Sequence, residues 1–167
     1  MRLETERLLL THLDPADAAF ILELLNEPSW LRFIGDKNVH SLDDARRYIE
    51  NGPMAMYAAK GFGLYRVALK ETDTPIGICG LIKRDTLPEP DIGFAFLPRA
   101  WGAGHAFEAS LAVIEQGRRE FGLVRLLAIT DPDNERSIRL LERLGLREER
   151  RMAGADGRPT LVLGCAF

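Results

Sequence analysis

Apolar residues in this chain fall into two kinds of pattern. Some form short solid or alternating runs, which strands bury; others recur three and four positions apart, which marks one face of a helix. The run Arg7 to Leu13 (RLLLTHL) predicts an opening strand. Asp14-Pro15 follows as an N-cap and a first-turn proline. Phe20, Ile21, Leu24 and Leu25 then put one apolar stripe on the helix it starts. Glu27-Pro28 breaks that helix, with a further short helical turn in SWLRFI (29–34). Ser41 and Asp44 have the spacing of a capping box, with Asp in place of the usual Glu or Gln. The helix they open is expected to end near Asn51-Gly52-Pro53.

GLYRVALK (63–70) and PIGICGLIKR (75–84) predict a hairpin, and DIGFAFL (91–97) a third strand after the turn-rich Thr86 to Pro90. Beyond it, His105 to Phe121 has Phe107, Leu111 and Ile114 at helical spacing, with Gly122 as the stop. VRLLAIT (124–130) reads as a buried strand. Asn134 to Leu144 reads as a helix with Ile138, Leu141 and Leu144 on one face and Gly145 as its left-handed cap. LREERR (146–151) and TLVLGCAF (160–167) supply two last strands around a loop over 153–158. The unit from DIGFAFL to VRLLAIT is expected to be parallel and right-handed. The expected fold is therefore α/β (α+β): a mixed, mostly antiparallel twisted sheet of six to seven strands, with helices on both faces.

Composition narrows the class. A length of 167 residues, 46% of them hydrophobic and 28% charged, fits a single domain over 1–167 with its own core. A net charge of −3 argues against a general nucleic-acid or membrane-surface binder. No apolar window approaches the roughly 18–20 residues that span a bilayer. MRLETERLLL is too short and too acidic for a signal peptide. Cys79 and Cys165 lie in apolar segments and read as buried reduced thiols, which suits a cytoplasmic location. His12, His40 and His105 have no mutual spacing that suggests a metal site, and no metal is expected.

The segment Arg99-Ala100-Trp101-Gly102-Ala103-Gly104 joins a strand to a helix N-terminus. Unpaired N–H groups and the dipole there favour an anion, and glycines let it approach the backbone. A tight connection alone would also use glycines. Two other phosphate motifs fail: Walker A needs Gly-Lys-Ser/Thr where this loop continues His105-Ala106-Phe107, and Phe107 occupies the third glycine position of GxGxxG.

The remaining pattern, Arg-x-x-Gly-x-Gly/Ala, resembles the pyrophosphate loop of the GNAT superfamily, the acyl-CoA-dependent N-acetyltransferases. TERLLL (5–10) resembles the opening of the ribosomal-protein N-acetyltransferase (RimJ/RimL-like) branch. IGICGL (76–81), DIGFAFLPRAWGAGHAFEA (91–109) and DPDNERSIRLLERLGL (131–146) resemble its later blocks in order and spacing, over essentially the whole chain. That branch often has Glu where Asp91 stands, Lys or Gln at Ala103, and Tyr at His105. Backbone donors are indifferent to the last two changes, whereas Asp91 shortens a carboxylate.

The resemblance implies a fold of the acyl-CoA N-acyltransferase kind and a set of roles. Main-chain groups of Phe96 and Leu97 would bind pantetheine and polarise the thioester carbonyl. N–H groups of Gly102, Ala103, Gly104, His105 and Ala106 would hold the pyrophosphate, with Arg99 adding a cation. Asn134 would contact the cofactor and Ser137 would protonate the departing thiolate. Asn134, following Asp131-Pro132-Asp133, equally suits a plain N-cap. An alkylamine is mostly protonated at neutral pH, so a base must assist. Asp91 is the candidate base, although a polar residue exposed at a strand edge is also consistent, and Glu108 is a weaker one. Trp30, Phe33 and Tyr57 fall in the segment that would roof an acceptor site, where aromatics also serve as core.

The function expected is transfer of acetyl from acetyl-CoA, as co-substrate, to a primary amine by direct attack in a ternary complex. No cysteine lies in the motif blocks near the thioester, which argues against an acyl-enzyme. The acceptor would be a protein N-terminal amine or a small amine, with no nucleic acid or membrane partner and with room for a homodimer. A non-catalytic CoA-binding module on the same scaffold is the alternative.

Overall fold

In a computed structural model the chain is described over residues 1–154 and 156–167; Ala155, within the expected 153–158 loop, lies outside the described residues. The opening apolar run forms β2 (Leu8–His12), with Leu8 and Leu10 fully buried. A three-residue strand, β1 (Arg2–Glu4), pairs antiparallel to it. Asp14 and Asp17 cap each other's backbone, Asp14 Oδ1 accepting from Ala16 N at 2.7 Å and Asp17 Oδ2 from Asp14 N at 3.0 Å. This starts a 3-10 turn (Pro15–Asp17) that leads into α1 (Ala18–Leu25). The stripe Phe20, Ile21, Leu24 and Leu25 is buried, and α2 (Pro28–Phe33) follows the break.

Ser41 caps α3 (Leu42–Ile49), its hydroxyl accepting from Asp44 N at 3.0 Å. The reciprocal half of the box is displaced by one residue, because Asp44 Oδ2 takes the N–H of His40. The helix does not end at Asn51-Gly52-Pro53. It passes through a π turn (Glu50–Met54) into α4 (Ala55–Lys60) and stops at Gly61, in the left-handed region at φ 80°. Pro53 has no N–H to donate and its ring needs room, and a wide turn meets both conditions.

The sheet has eight strands, β1 being the one added to the expected seven. β3 (Leu64–Leu69) and β4 (Thr74–Ile82) form the hairpin, and β5 (Asp91–Phe96) pairs antiparallel to β4. After α5 (His105–Glu120) comes β6 (Arg125–Thr130), parallel to β5. Helix α6 (Glu135–Arg143) precedes β7 (Arg147–Ala153) and β8 (Pro159–Ala166), and β8 inserts between β6 and β7.

Strand alternation sends side chains to two cores. Tyr65, Val67, Cys79, Leu81, Ile92 and Phe96 pack with Ala109, Val113 and Ile114 of α5. Ile78 and Leu97 pack with Ile21, Leu24, Ala45 and Ile49 of α1 and α3 on the other face. Burying each large aliphatic side chain contributes about 1.5–3 kcal/mol. The face of α5 turned to the sheet differs from the one expected: Leu111 is 47% exposed, while Ala109, Ser110 and Gly117 are buried. The helix lies too close for larger residues, since a methyl on Gly117 would come within 2.9 Å of Leu81.

An equally tight approach joins β3 to β4, where a Cβ on Gly80 would sit 1.9 Å from the Gly63 carbonyl oxygen. Gly80→Ala is expected to lower stability by about 1–3 kcal/mol through overpacking. Gly52→Ala, with open space around the new methyl, is expected to be neutral or to gain about 0.5–1 kcal/mol. Urea unfolding of the two variants beside the parent protein measures both.

Candidate active site

β5 and β6 run parallel but share one register pair, Asp91↔Leu127. Beyond it the strands diverge, and β5 has no ladder partner on that side among the described residues. The phase of β5 is set by Leu97, whose N–H donates to the Ile76 carbonyl of β4 at 2.9 Å. Main-chain groups alternate sides along a strand, so Phe94 and Phe96 turn theirs to the gap. Of the expected pair, Leu97 N–H is therefore already used, and the Phe96 carbonyl accepts from Trp101 Nε1 at 2.9 Å. The residue that sequence reasoning missed is Phe94, which two-residue alternation from Phe96 would have found.

A cavity of about 600 Å³ opens over this gap. The segment after α2 and the β7–β8 connection form its two lips. Asp91, Asn134 and Ser137 line it together, with Trp30 and Phe33 in the roof. Arg84 and Tyr48, which the sequence did not single out, line it too. Tyr57 belongs elsewhere: its ring stacks on His12 at 3.8 Å, and its hydroxyl accepts from Leu13 N.

Asn134 caps α6, its Oδ1 accepting from Ser137 N at 3.2 Å. That bond leaves the Asn134 amide nitrogen and the Ser137 hydroxyl without protein partners among the described residues. Asp91 is not an exposed edge residue. Its side chain is 1% exposed and both oxygens lie 3.1 Å from Arg84 Nε, so it faces the guanidinium rather than open cavity. Burial raises its pKa above the ordinary carboxylate value, against the opposing pull of the Arg84 charge.

Glu108 lies outside the cavity. It accepts from Thr5 Oγ1 at 2.5 Å, Arg7 N at 3.0 Å and Arg7 Nε at 2.7 Å, clasping the start of β2 to the first turn of α5. Burial alone would raise its pKa, but the hydrogen bonds from Thr5 and Arg7 outweigh this and lower it. Arg7 then reaches on to the Ala103 carbonyl at 2.8 Å.

That carbonyl belongs to the glycine turn. Gly102 and Gly104 have φ of 83° and 81°, a region that costs other residues strain. No side chain among the described residues caps α5, so its first-turn amides from His105 onward have no capping partner there. Arg7 occupies one carbonyl of this loop. Arg136 and Arg143 of α6 lie over the rings of Trp101 and Phe107 at 3.9 and 4.3 Å, placing positive charge beside the loop. Arg99 turns instead to Glu23 of α1, at 3.0 Å. Phe96, Leu97, Arg99 and residues 102–106 do not line the cavity, so the site has two parts joined by the end of β5.

Cys79 is fully buried against Ser110, and burial pushes its thiol up to about 12. Cys165, half-buried on β8, is also raised by burial. Neither thiol lines the cavity. No helix among the described residues is long and apolar enough to cross a membrane, and no cluster of three His, Cys, Asp or Glu side chains is placed to hold a metal.

Solved structures share this architecture. An acetyltransferase from Agrobacterium tumefaciens str. C58 superposes with a TM-score of 0.85 at 24% identity, covering 100% of this chain and 95% of its own. RimL, the ribosomal L7/L12 alpha-N-protein acetyltransferase solved in complex with coenzyme A, gives 0.84 at 17% identity over 100% and 98%. These two share the fold. In sequence, the uncharacterized N-acetyltransferase YoaA of Bacillus subtilis (strain 168) is 31% identical over 149 residues, 88% of this chain and 83% of its own. Residues 7–147 match the Acetyltransferase (GNAT) domain, and the chain belongs to that family of acetyltransferase enzymes.

Arg7→Ala removes the bond that holds the Ala103 carbonyl but leaves Glu108 with Thr5 and the residue 7 amide. Acetyl-CoA affinity is expected to fall about threefold to tenfold, the value of one such hydrogen bond. Calorimetric titration of the folded variant checks this; unchanged affinity would mean that the loop holds its shape without Arg7.

Proposed function

We propose that this protein transfers the acetyl group of acetyl-CoA to a primary amine, on a small molecule or a protein N-terminus, by direct attack in a ternary complex. One observation carries the reading: Ser137 and Asn134, whose hydroxyl and amide nitrogen have no protein partner among the described residues, line one cavity with the unladdered edge of β5. The residues also fit the co-substrate. Around Gly102 a added methyl would meet nothing within 4 Å, so a ligand can reach the main chain there.

Acetyl-CoA supplies the reactive thioester carbonyl. The N–H groups of Gly102, Ala103, Gly104, His105 and Ala106 are assigned to its pyrophosphate, within the positive field of Arg136 and Arg143. Arg99, paired with Glu23, is not assigned to the phosphate. Main-chain groups of Phe94 and Phe96 are assigned to pantetheine and, through an N–H, to the oxygen that gains charge in the transition state. The Asn134 amide holds the same chain from the opposite wall.

In the reaction a nitrogen–carbon bond forms, the carbon–sulfur bond breaks, and sulfur leaves with the electron pair. Ser137 Oγ–H donates the proton that neutralises it, and the proton lost by the amine restores the balance through solvent. Asp91, nominated by the sequence as a base, is assigned instead to holding Arg84. The buried, protonated Cys79 suits direct transfer, since the thiolate is the nucleophilic form.

Thiol release from acetyl-CoA across a panel of amines tests the reading, and acetyl-CoA binding without turnover of any amine would overturn it. Ser137→Ala is expected to lower kcat about tenfold to a hundredfold at neutral pH, with KM little changed. A thiol has a pKa near ~8.5, so above that pH the thiolate departs unaided and the defect should shrink. A loss equal at pH 7 and pH 9.5 would remove Ser137 from this step.

A further inference from the structure

Arg84, in the connection from β4 to β5, is held at one edge and open at the other. Its Nε lies 3.1 Å from both oxygens of the buried Asp91. The side chain as a whole is 38% exposed, Arg84 lines the cavity, and its Nη1 and Nη2 have no protein partner among the described residues. The backbone beneath it is fixed as well. Lys83 Nζ donates to the carbonyls of Arg84 at 2.7 Å and Leu87 at 2.6 Å, and the Leu87 side chain is buried.

A guanidinium anchored through Nε presents its two remaining nitrogens in a plane. That fork matches the two oxygens of a carboxylate, and anchoring it beforehand lowers the entropy lost on binding. Tyr48 lines the same cavity. The size of the site limits what can bring the carboxylate. Arg158, in the β7–β8 connection, donates from Nη1 to the Arg32 carbonyl of α2 at 3.0 Å, tying the two lips together. Arg158 also lines the cavity of about 600 Å³, and what the thioester end of the co-substrate leaves of that space suits a small molecule.

Resting on the acetyl-transfer reading above, we propose that the acceptor is a small primary amine bearing a carboxylate, bound by Arg84 through Nη1 and Nη2, with Asp91 as the residue that positions Arg84. A solvated surface ion pair would neither seal the acid nor turn the free edge of the base into the substrate cavity.

The test measures kcat/KM at saturating acetyl-CoA for free α-amino acids, for their decarboxylated amines, and for short peptides with free N-termini. Carboxylated small amines are expected to be preferred. Arg84→Gln should raise their KM about tenfold to a hundredfold while leaving the decarboxylated amines and acetyl-CoA affinity within about twofold. Arg84→Lys, which keeps a cation for Asp91 and carries the test if Arg84→Gln does not fold, should recover part of the loss. Asp91→Asn should raise KM for the carboxylated acceptors alone; a merely structural role would move both sets or neither. Equal use of both amines by the parent protein, equal loss for both in the variant, or preference for peptides overturns this proposal and leaves acetyl transfer standing. No turnover of any amine overturns the acetyl-transfer reading itself.

Discussion

The single register pair between β5 and β6 is the constraint on which the rest of the site depends. Parallel strands normally satisfy each other's main chain along their length, and here they stop after Asp91↔Leu127. The unmatched amides of β5 are costly if buried dry, so the fold needs something to lie along them. Pantetheine, a chain of amides, is complementary to such an edge. The divergence also opens the cavity, because the space between the strands is the space that α6 and the β7–β8 hairpin border.

Around that gap, several devices hold loops in shape rather than adding to the core. The Asn134 cap fixes the first turn of α6, from which Ser137 lines the cavity. Glu108 ties β2 to α5 and, through Arg7, reaches the glycine turn. Lys83 holds the carbonyls of the β4–β5 connection. Each uses a charged or amide side chain to fix main chain, which is the kind of support a preorganised site requires.

Much of the fold was legible because its elements announce themselves locally. Asp14-Pro15, the stripe Phe20–Leu25 and the glycine at 145 are signals that tertiary contacts did not override. β1 was not legible, since three residues with one apolar side chain become a strand only by pairing with β2. The passage through Pro53 was missed because a proline after Asn-Gly reads as a stop, and only a widened turn makes it otherwise. The face of α5 was misread because close packing on the sheet favours Ala109, Ser110 and Gly117 over the larger Leu111. At the site, the Asn134–Ser137 spacing and the glycine turn were visible in the sequence. The Arg84–Asp91 pair was not, because it depends on how the eight-residue connection 83–90 folds back on itself.

Trp101 and Trp30, the two tryptophans of the chain, occupy different halves of the site. Trp101 lies beside the glycine turn, bonded to the Phe96 carbonyl and covered by Arg136. Trp30 is in the cavity roof, its indole N–H on the Gly35 carbonyl at 3.0 Å. The glycine turn and the cavity thus each have their own chromophore. With one indole replaced by phenylalanine, the fluorescence of the other reports on its own part of the site, so that a ligand at the glycine turn and one filling the cavity become distinguishable.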